Sequence, residues 1–365
     1  MEETGHLTDR EKELLHVIGK HPDITLKELL PLTSYKWVST VARKLEHLRE
    51  LGAVSRLLYD INFGKLCRNP LYKLVCILET CQSYETVISY LKLIESLLWI
   101  FPVLSSHKNV LQAGFLSSDN QEMEALLQLL KDNDIISDYI VRASRHKRIV
   151  ENPNLFGDPT PSLKGLLNPC ELHDISPDDH DTVWDECDIR ILPYLQKGAK
   201  LIEILKEEKK INRPWTYEQL RYSREKISKN GLIIKRYVFP PFSCEKCTEF
   251  HLFLKVRDTT VLQTILHNFA RGERVYKEYS LYGDWGILVC RSHPLFLTGL
   301  LYKLDRIDEI REKEMYQTRS ISGDYHIYQR IELKDYDFDK QTLEYPYHVY
   351  REKIKETLEK ELICI

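Results

Sequence analysis

The composition of the chain is typical of a globular protein. Its 365 residues are 43% hydrophobic and 29% charged, which suits two to four small domains, each with its own core. The net charge of −3 argues against binding to polyanions through overall charge. The longest apolar run, residues 97–104, is too short to cross a bilayer. Since the first residues do not resemble a signal peptide, we expect a cytoplasmic protein without membrane contacts.

Residues 1–66 have the pattern of a winged helix-turn-helix domain. Thr8 and Glu11 have the spacing of a capping box at the start of a first helix. A third helix has one apolar face, because hydrophobic residues recur at helical spacing, at Val38, Val41, Leu45 and Leu48. Gly52 is the expected C-terminal cap. The alternation of apolar and polar residues over 53–60 then predicts a wing strand.

The hydrophobic periodicity of residues 67–150 is typical of a ferredoxin-like domain. The predicted order is a strand at 74–78, a helix at 85–100, a hairpin of strands at 103–106 and 110–116, a helix at 121–133 and a strand at 136–143. This β-α-β-β-α-β order is typical of an antiparallel sheet with two helices on one face.

The rest of the chain repeats this plan after a linker. Residues 151–183 are rich in Pro, Asp and Asn, and we expect them to be extended because proline disfavours helix in the residue before it. A second winged helix-turn-helix is predicted at 184–243, a second ferredoxin-like domain at 244–324, and a tail with a terminal helix at 325–365. The predicted fold class is α+β, with two winged helix-turn-helix domains and two ferredoxin-like βαββαβ domains in tandem.

Three segments stand out in this plan: residues 40–54 read TVARKLEHLRELGAV, residues 61–66 read INFGKL and residues 282–288 read YGDWGIL. In this order they resemble the recognition helix, the hinge strand and the Gly-Asp turn of the Lrp/AsnC family of archaeal and bacterial transcription regulators. The resemblance implies a regulator that binds double-stranded DNA and has no resident cofactor. It also implies a small-molecule effector at Gly283 and Asp284, although a plain hairpin turn is an equal interpretation of those residues.

The same resemblance implies how the two sensor sheets are arranged. Family members form dimers from two chains, so we expect the two sheets of this chain to pack face to face as an intrachain pseudo-dimer. A homodimer of such chains is the further expectation.

The outward faces of the two recognition helices supply the predicted DNA contacts. Arginine can read guanine through two hydrogen bonds, lysine contacts phosphate, and serine or threonine suits either. The candidates are Lys36, Ser39, Thr40, Arg43, Lys44, His47 and Arg56 in the first unit and Tyr217, Arg221, Tyr222, Ser223 and Lys226 in the second. The alternative is a solvated helix face that contacts proteins, and for the second unit a scaffolding role.

Cys244 and Cys247 form a CxxC pair, and His251 follows four residues later. Two thiolates at this spacing reach one metal ion or each other. A structural zinc site needs four ligands, however, and the sequence has no second CxxC pair. We therefore expect free thiols and no metal, with these three residues as weak metal candidates.

The sequence contains no familiar catalytic motif, so we expect a protein that is not an enzyme. One alternative is a siroheme decarboxylase, because these enzymes share the two-domain plan of the regulators and hold a tetrapyrrole carboxylate with basic and histidine residues. The His-Asn-Tyr segment of those enzymes is not found in either sensor domain. Another alternative is a module that binds ligands or proteins but not DNA.

Overall fold

The structure is a computed structural model that describes residues 7–55, 57–211, 215–319, 327–329 and 331–363. The elements of the first part of the chain are α1 (Asp9–Lys20), α2 (Val38–Glu50), β1 (Leu58–Ile61), α3 (Phe63–Leu66), β2 (Tyr72–Thr80), α4 (Tyr84–Leu91), β3 (Leu97–Val103), β4 (Asn109–Ser117), α5 (Asn120–Asp132), β5 (Asp138–Ser144) and β6 (Ile149–Glu151).

The second part follows the same order after an extended segment. Its elements are α6 (Glu186–Gln196), α7 (Leu201–Lys210), α8 (Tyr217–Lys229), β7 (Ile233–Arg236), β8 (Thr248–Val256), α9 (Thr259–Asn268), β9 (Tyr276–Tyr282), β10 (Trp285–Ser292), α10 (Pro294–Thr298), α11 (Leu300–Leu304) and β11 (Ile310–Gln317). The tail adds β12 (Ile327–Tyr328), β13 (Tyr336–Asp337), β14 (Thr342–Leu343) and α12 (Tyr347–Ile363). Among the described helices, none has both the length and the apolar composition of a membrane span.

Two antiparallel five-stranded sheets form the centre of the molecule. Sheet 1 has the order β12-β3-β4-β2-β5 and sheet 2 has the order β11-β8-β10-β9-β6. The four-strand part of each sheet has the same ferredoxin-like order, and the fifth strand comes from outside the unit. The predicted α+β fold class is confirmed, while the residue boundaries of the domains and the origin of the repeat by duplication stay predictions.

The two winged helix-turn-helix units meet through their wings. β1 pairs antiparallel with β7, from Leu58 opposite Arg236 to Ile61 opposite Ile233. The capping box predicted at Thr8 is present, since the Thr8 side chain and Glu11 exchange hydrogen bonds with each other's backbone. The core face predicted for α2 is also present, with Val41, Leu45 and Leu48 buried. A two-stranded wing pair therefore joins the halves at one end of the molecule.

The two sheets pack face to face, and we call this arrangement the sheet sandwich. Its interior contains a hydrophobic cluster of Val75, Ile77, Val103, Val110, Phe253 and Ile287. The sheets also touch along their edges. Val103 bridges to Thr318 at one corner, and the Ser144 hydroxyl donates to the Leu281 carbonyl at another. Each sheet thus covers one face with its own helices and the other with its partner.

One predicted helix is shorter than expected. The sequence predicts helix over 85–100, but α4 ends at Leu91 and β3 begins at Leu97. The aromatic and branched run from Leu97 onwards fits a strand, because Trp99 and Phe101 face the sandwich whereas Ile100 packs among the residues on the helix side. Tertiary packing on both faces therefore overrides the helical period.

The predicted linker is extended, as expected, but it is packed against the second unit. Leu163, Leu166 and Ile175 belong to the core of sheet 2 and its helices, whereas Leu155 is buried in the core of the first winged helix-turn-helix. The C-terminal tail is also docked, because the phenol of Tyr347 is hydrogen-bonded to Ser117 and to the backbone of residues 118 and 119. Both segments hold the halves together.

Arg142 is the buried cation of the sandwich and gives the first prediction. Its guanidinium donates to both oxygens of Glu314 at 2.9 and 2.8 Å and stacks on Phe253 and Trp285, with 4.6 and 4.3 Å to the ring centres. We expect Arg142→Ala to lower the free energy of unfolding by about 2–4 kcal/mol, because it removes packing and leaves Glu314 without its cation, with only the Tyr316 hydroxyl still bonded to it. The measurement is urea denaturation followed by fluorescence.

Lys210→Ala is the matched control, since Lys210 pairs with Glu207 at an exposed site. Such pairs contribute about 0–1 kcal/mol. Equal unfolding midpoints for the two variants would contradict the assignment of Arg142 to the buried interface.

Candidate ligand site between the two sheets

Charged side chains gather at the end of the sheet sandwich that faces the wing pair. We call this group the charged mouth, and it consists of Asp60, Lys73, Arg148, Arg236, Glu249, Glu278 and Arg291. Strand register brings several of them together, because Arg291 on β10 lies opposite Glu249 on β8 and opposite Tyr276 on β9. Asp60 and Arg236 come from the wing pair. Four cations thus face three carboxylates.

Glu278 is the centre of the charged mouth. Arg148 Nη1 lies 2.7 Å from its Oε2, Arg236 Nη1 lies 3.3 Å from its Oε1, and the Tyr276 hydroxyl donates to Oε1. The same two arginines bind Asp60, each at 2.8 Å. Burial raises the pKa of the Glu278 carboxyl, but the charges of Arg148 and Arg236 outweigh it and lower this pKa to about 2.

Lys73 is the cation of the mouth that is held least firmly. Its side chain lies against the Phe63 ring, with 5.1 Å from Nζ to the ring centre. No carboxylate of the described residues lies within ion-pair distance of it. Burial, followed by the charge of Arg148, lowers the pKa of Lys73 to about 8. An ammonium that is desolvated and unpaired in this way attracts a carboxylate ligand.

His251 lies further inside the sandwich, between aromatic rings. Its ring centre is 5.2 Å from that of Phe101 and 6.2 Å from that of Trp99, and these two rings are stacked at 4.7 Å. His251 Nδ1 lies 2.7 Å from Gln112 Nε2, a contact that crosses from β8 to β4. His251 Nε2 is 4.0 Å from Glu249 Oε1, which is too long for a hydrogen bond.

Two polar atoms of the His251–Gln112 pair have no hydrogen-bond partner among the described residues. They are His251 Nε2 and Gln112 Oε1, on side chains that are 4% and 0% exposed. Buried polar atoms without partners are costly and call for a bound group or water. Burial raises the pKa of the Glu249 carboxyl, but its interactions with His251 and Arg291 outweigh this effect and lower the pKa to about 2.

The first recognition helix presents most of its predicted residues outward. Lys36, Ser39, Arg43 and His47 are exposed, and Thr40 is half-buried. Lys44 instead turns toward α1, where its ammonium lies 3.0 Å from the buried Glu11 carboxylate. Arg56 lies outside the described residues.

The second recognition helix departs from the prediction at two positions. Ser223 is 2% exposed and, with Lys226, hydrogen-bonds to the fully buried Asp188 of α6. The prediction that these side chains face outward is therefore corrected. A buried carboxylate needs polar partners, and residues three apart on α8 supply them from one face. Arg221 pairs with Glu218 and lies near Glu225, while Tyr217 and Tyr222 are exposed.

Gly283 and Asp284 form the two-residue turn between β9 and β10. Gly283 has a φ of 62°, and this turn geometry favours glycine. Asp284 Oδ2 is 3.2 Å from Lys255 Nζ, so its carboxylate already has a partner. The structure bears out the hairpin turn, and the effector role stays a prediction.

Two of the weak metal candidates, Cys247 and His251, are not gathered into one site. His251 follows Cys247 by four residues of nearly extended chain, or about 13 Å at strand spacing, which is too far for one metal ion. The His251 ring also faces Gln112 in the sandwich. The structure says nothing about the Cys244 side chain, which lies outside the described part.

Comparison with known proteins shows a similarity of fold over nearly the whole chain. The chain matches no family model and no curated protein. Among solved structures, it shares its fold with the siroheme decarboxylase NirDL at 13% identity, over 96% of this chain and 98% of that chain, with a TM-score of 0.50. The NirDL complex with an iron-uroporphyrin III analogue matches over 96% and 100%, again at 13% identity, with a TM-score of 0.52.

Transcription regulators resemble a smaller part of the chain. The Mycobacterium tuberculosis leucine response regulatory protein is 20% identical over 38% of this chain and 90% of its own, with a TM-score of 0.27. The expectation that the chain is not an enzyme is corrected, because NirDL, a protein that shares the fold over 96% of this chain, is a siroheme decarboxylase. Neither the fold nor the absence of a familiar catalytic motif therefore excludes catalysis.

The low pKa of Glu278 gives a prediction about pH. Its carboxyl has an ordinary pKa of 4.5 when unfolded and about 2 when folded, so ionised Glu278 stabilises the fold above pH 4.5 and loses this effect as the pH falls towards 2. We expect Glu278→Gln to lower the free energy of unfolding by about 3 kcal/mol at pH 7. The difference from the wild type should shrink below pH 4.5.

The measurement is urea denaturation between pH 3 and 7, with Glu344→Gln as a matched control because Glu344 is exposed. A Glu278→Gln difference that stays constant with pH would contradict the charge network.

Proposed function

We propose that this protein binds an iron tetrapyrrole bearing several carboxylates in the charged mouth and removes a carboxyl group from it. One observation carries the proposal. A buried histidine with an unpartnered Nε2 lies behind four cations and beside stacked aromatic rings. The fold shared with a siroheme decarboxylase over 96% of the chain supports the same chemical class.

The cations fit a ligand that carries several carboxylates. Arg291 donates from Nε to Glu249, and its terminal N–H groups have no bond to a carboxylate among the described residues, so they are available to a ligand. Lys73 supplies a second unpaired charge. Arginine binds carboxylates through paired N–H donors, whereas lysine acts as a point charge. The half-buried Trp99 ring, stacked on the buried Phe101, offers apolar surface to a macrocycle in this proposal.

The chemistry needs one proton. Loss of carbon dioxide breaks the bond between the carboxylate carbon and its neighbour and leaves the electron pair on that neighbour, which then takes the proton. His251 Nε2 is the proton donor in this proposal, and Gln112 orients the ring through its contact with Nδ1. A dry aromatic environment assists because a poorly solvated carboxylate is less stable relative to neutral carbon dioxide.

The test uses iron uroporphyrin III as the probe with the full chain. We expect the wild type to shift the absorption band of the probe on binding and to release carbon dioxide from it. His251→Gln should keep binding within about threefold and lose about 100-fold or more in turnover, because general acids contribute factors of this size. Arg291→Ala should weaken binding by about tenfold.

Lys229→Ala is the control, since Lys229 is exposed on α8 and is not one of the residues of the charged mouth. A His251→Gln variant with wild-type turnover would reject the catalytic assignment. A probe that binds no better to the wild type than to Arg291→Ala would reject the site.

A second candidate function is contact with double-stranded DNA by α2 and the residues before it. The observation that favours it is an exposed basic face at Lys36, Arg43 and His47, for which no ion pair occurs among the described residues. The corresponding face of α8 is less suited, because Ser223 and Lys226 bind Asp188.

We expect duplex DNA to bind the full chain with an affinity that falls with salt, because phosphate contacts release counterions. Arg43→Ala should weaken this binding by about tenfold, whereas Arg221→Ala on α8 should not. Fluorescence anisotropy at several salt concentrations measures both. Equal effects of the two substitutions, or no binding at low salt, would remove this second function and leave the tetrapyrrole proposal untouched.

A further inference from the structure

A second cluster of ligating side chains lies on the helix side of sheet 2, away from the charged mouth. Glu151 on β6, His173 on the extended segment and His267 on α9 place one donor atom each within 4.8 Å of one another. The three residues come from parts of the chain that are distant in sequence. We propose that this cluster is a binding site for a divalent transition-metal ion of the zinc class.

The strongest observation is the state of His267. The side chain is 3% exposed, and its Nε2 has no hydrogen-bond partner among the described residues. The other ring nitrogen, Nδ1, lies 3.2 Å from the Tyr279 hydroxyl. Metal-bound histidines have this arrangement, in which an oxygen fixes one ring nitrogen and the other faces the ion.

The donor set is chemically suited to zinc. Two imidazoles and one carboxylate are the ligands of many three-residue zinc sites, which keep a further position open for water. Donor atoms around one zinc ion lie roughly 3.5 Å apart, given bonds of about 2.0–2.2 Å. His173 is exposed, so its side chain has the freedom to close the remaining distance.

Lys277 is the competing cation at this site. Its ammonium is 3.1 Å from Glu151 Oε1 and donates to the carbonyls of Leu266 and His267 at 3.2 and 2.7 Å. A metal ion therefore has to share Glu151 with Lys277. We expect an affinity below that of a four-ligand structural site for this reason.

The position of the cluster gives it a consequence for the charged mouth. Glu151 lies on β6, and Arg148 immediately precedes the same strand. Residues 149 and 151 face the helix side, where Ile149 joins the core of sheet 2, whereas Arg148 reaches Glu278 and Asp60 in the mouth. A metal ion on one side of this short edge strand would hold the strand, and the extended segment through His173, in place.

The experiment measures zinc binding to the full chain after treatment with a chelator and dialysis. Isothermal titration calorimetry with zinc chloride should show one bound ion per chain. His173→Ala should weaken binding at least tenfold without loss of folding, because His173 is exposed. Tyr279→Phe should weaken it by about tenfold, the usual cost of losing the group that orients a metal ligand. His348→Ala, at an exposed histidine of α12, is the matched control and should bind as the wild type does.

The CxxC pair is the competing source of zinc binding, so the Cys244→Ser/Cys247→Ser double variant belongs in the same series. We expect it to retain the ion. No zinc binding by the wild type, an unchanged affinity in His173→Ala, or loss of zinc in the cysteine variant alone would each overturn the proposal. None of these results depends on tetrapyrrole binding or turnover.

Discussion

The Glu278 carboxylate, held between Arg148 and Arg236, is the interaction that joins the wing pair to the sheet sandwich. A buried carboxylate costs several kcal/mol of desolvation unless well-placed cations surround it. Here the cations come from two places, one beside β6 and the other on β7, and both also bind Asp60 of β1. The charge network therefore stabilises one relative placement of wings and sheets, which an apolar contact would specify less strictly.

The same network decides what the mouth can bind. Its carboxylates neutralise part of the positive charge, so the site does not bind every anion equally well. The remaining positive charge lies on Lys73 and on the terminal N–H groups of Arg291. A ligand has to bring carboxylates to both places and an apolar body to Trp99 and Phe101. These demands favour a large amphipathic polycarboxylate over a small amino-acid effector. The hairpin turn at Gly283 and Asp284 does not require a ligand with these features.

Much of the fold follows from local signals, whereas the site does not. Helical spacing predicts α2, and glycine after the helix predicts its end, because these depend on neighbours along the chain. Ser223 and Lys226 face inward rather than outward because they bind Asp188, which lies 35 and 38 residues away along the chain. The contact of Gln112 with His251 spans 139 residues. The one local hint is a pair of polar residues two positions apart in the otherwise apolar strand β8, Glu249 and His251, of which only His251 is a sequence candidate, as a weak metal ligand.

The two halves differ most where their strands correspond. β2 and β8 occupy the same place in their sheets and have the same length, so His251 corresponds to Val75, and Gln112 on β4 corresponds to Ile287 on β10. Val75 and Ile287 are buried in the apolar cluster of the sandwich. By the same comparison, Glu278 corresponds to Trp99. A symmetric sandwich would carry this polar pair at both ends, or at neither. One end of the sandwich carries the polar groups, and the other packs apolar side chains. A second buried polar pair without hydrogen-bond partners would destabilise the fold. The buried polar pair therefore occurs once in the sandwich, and both halves contribute to it.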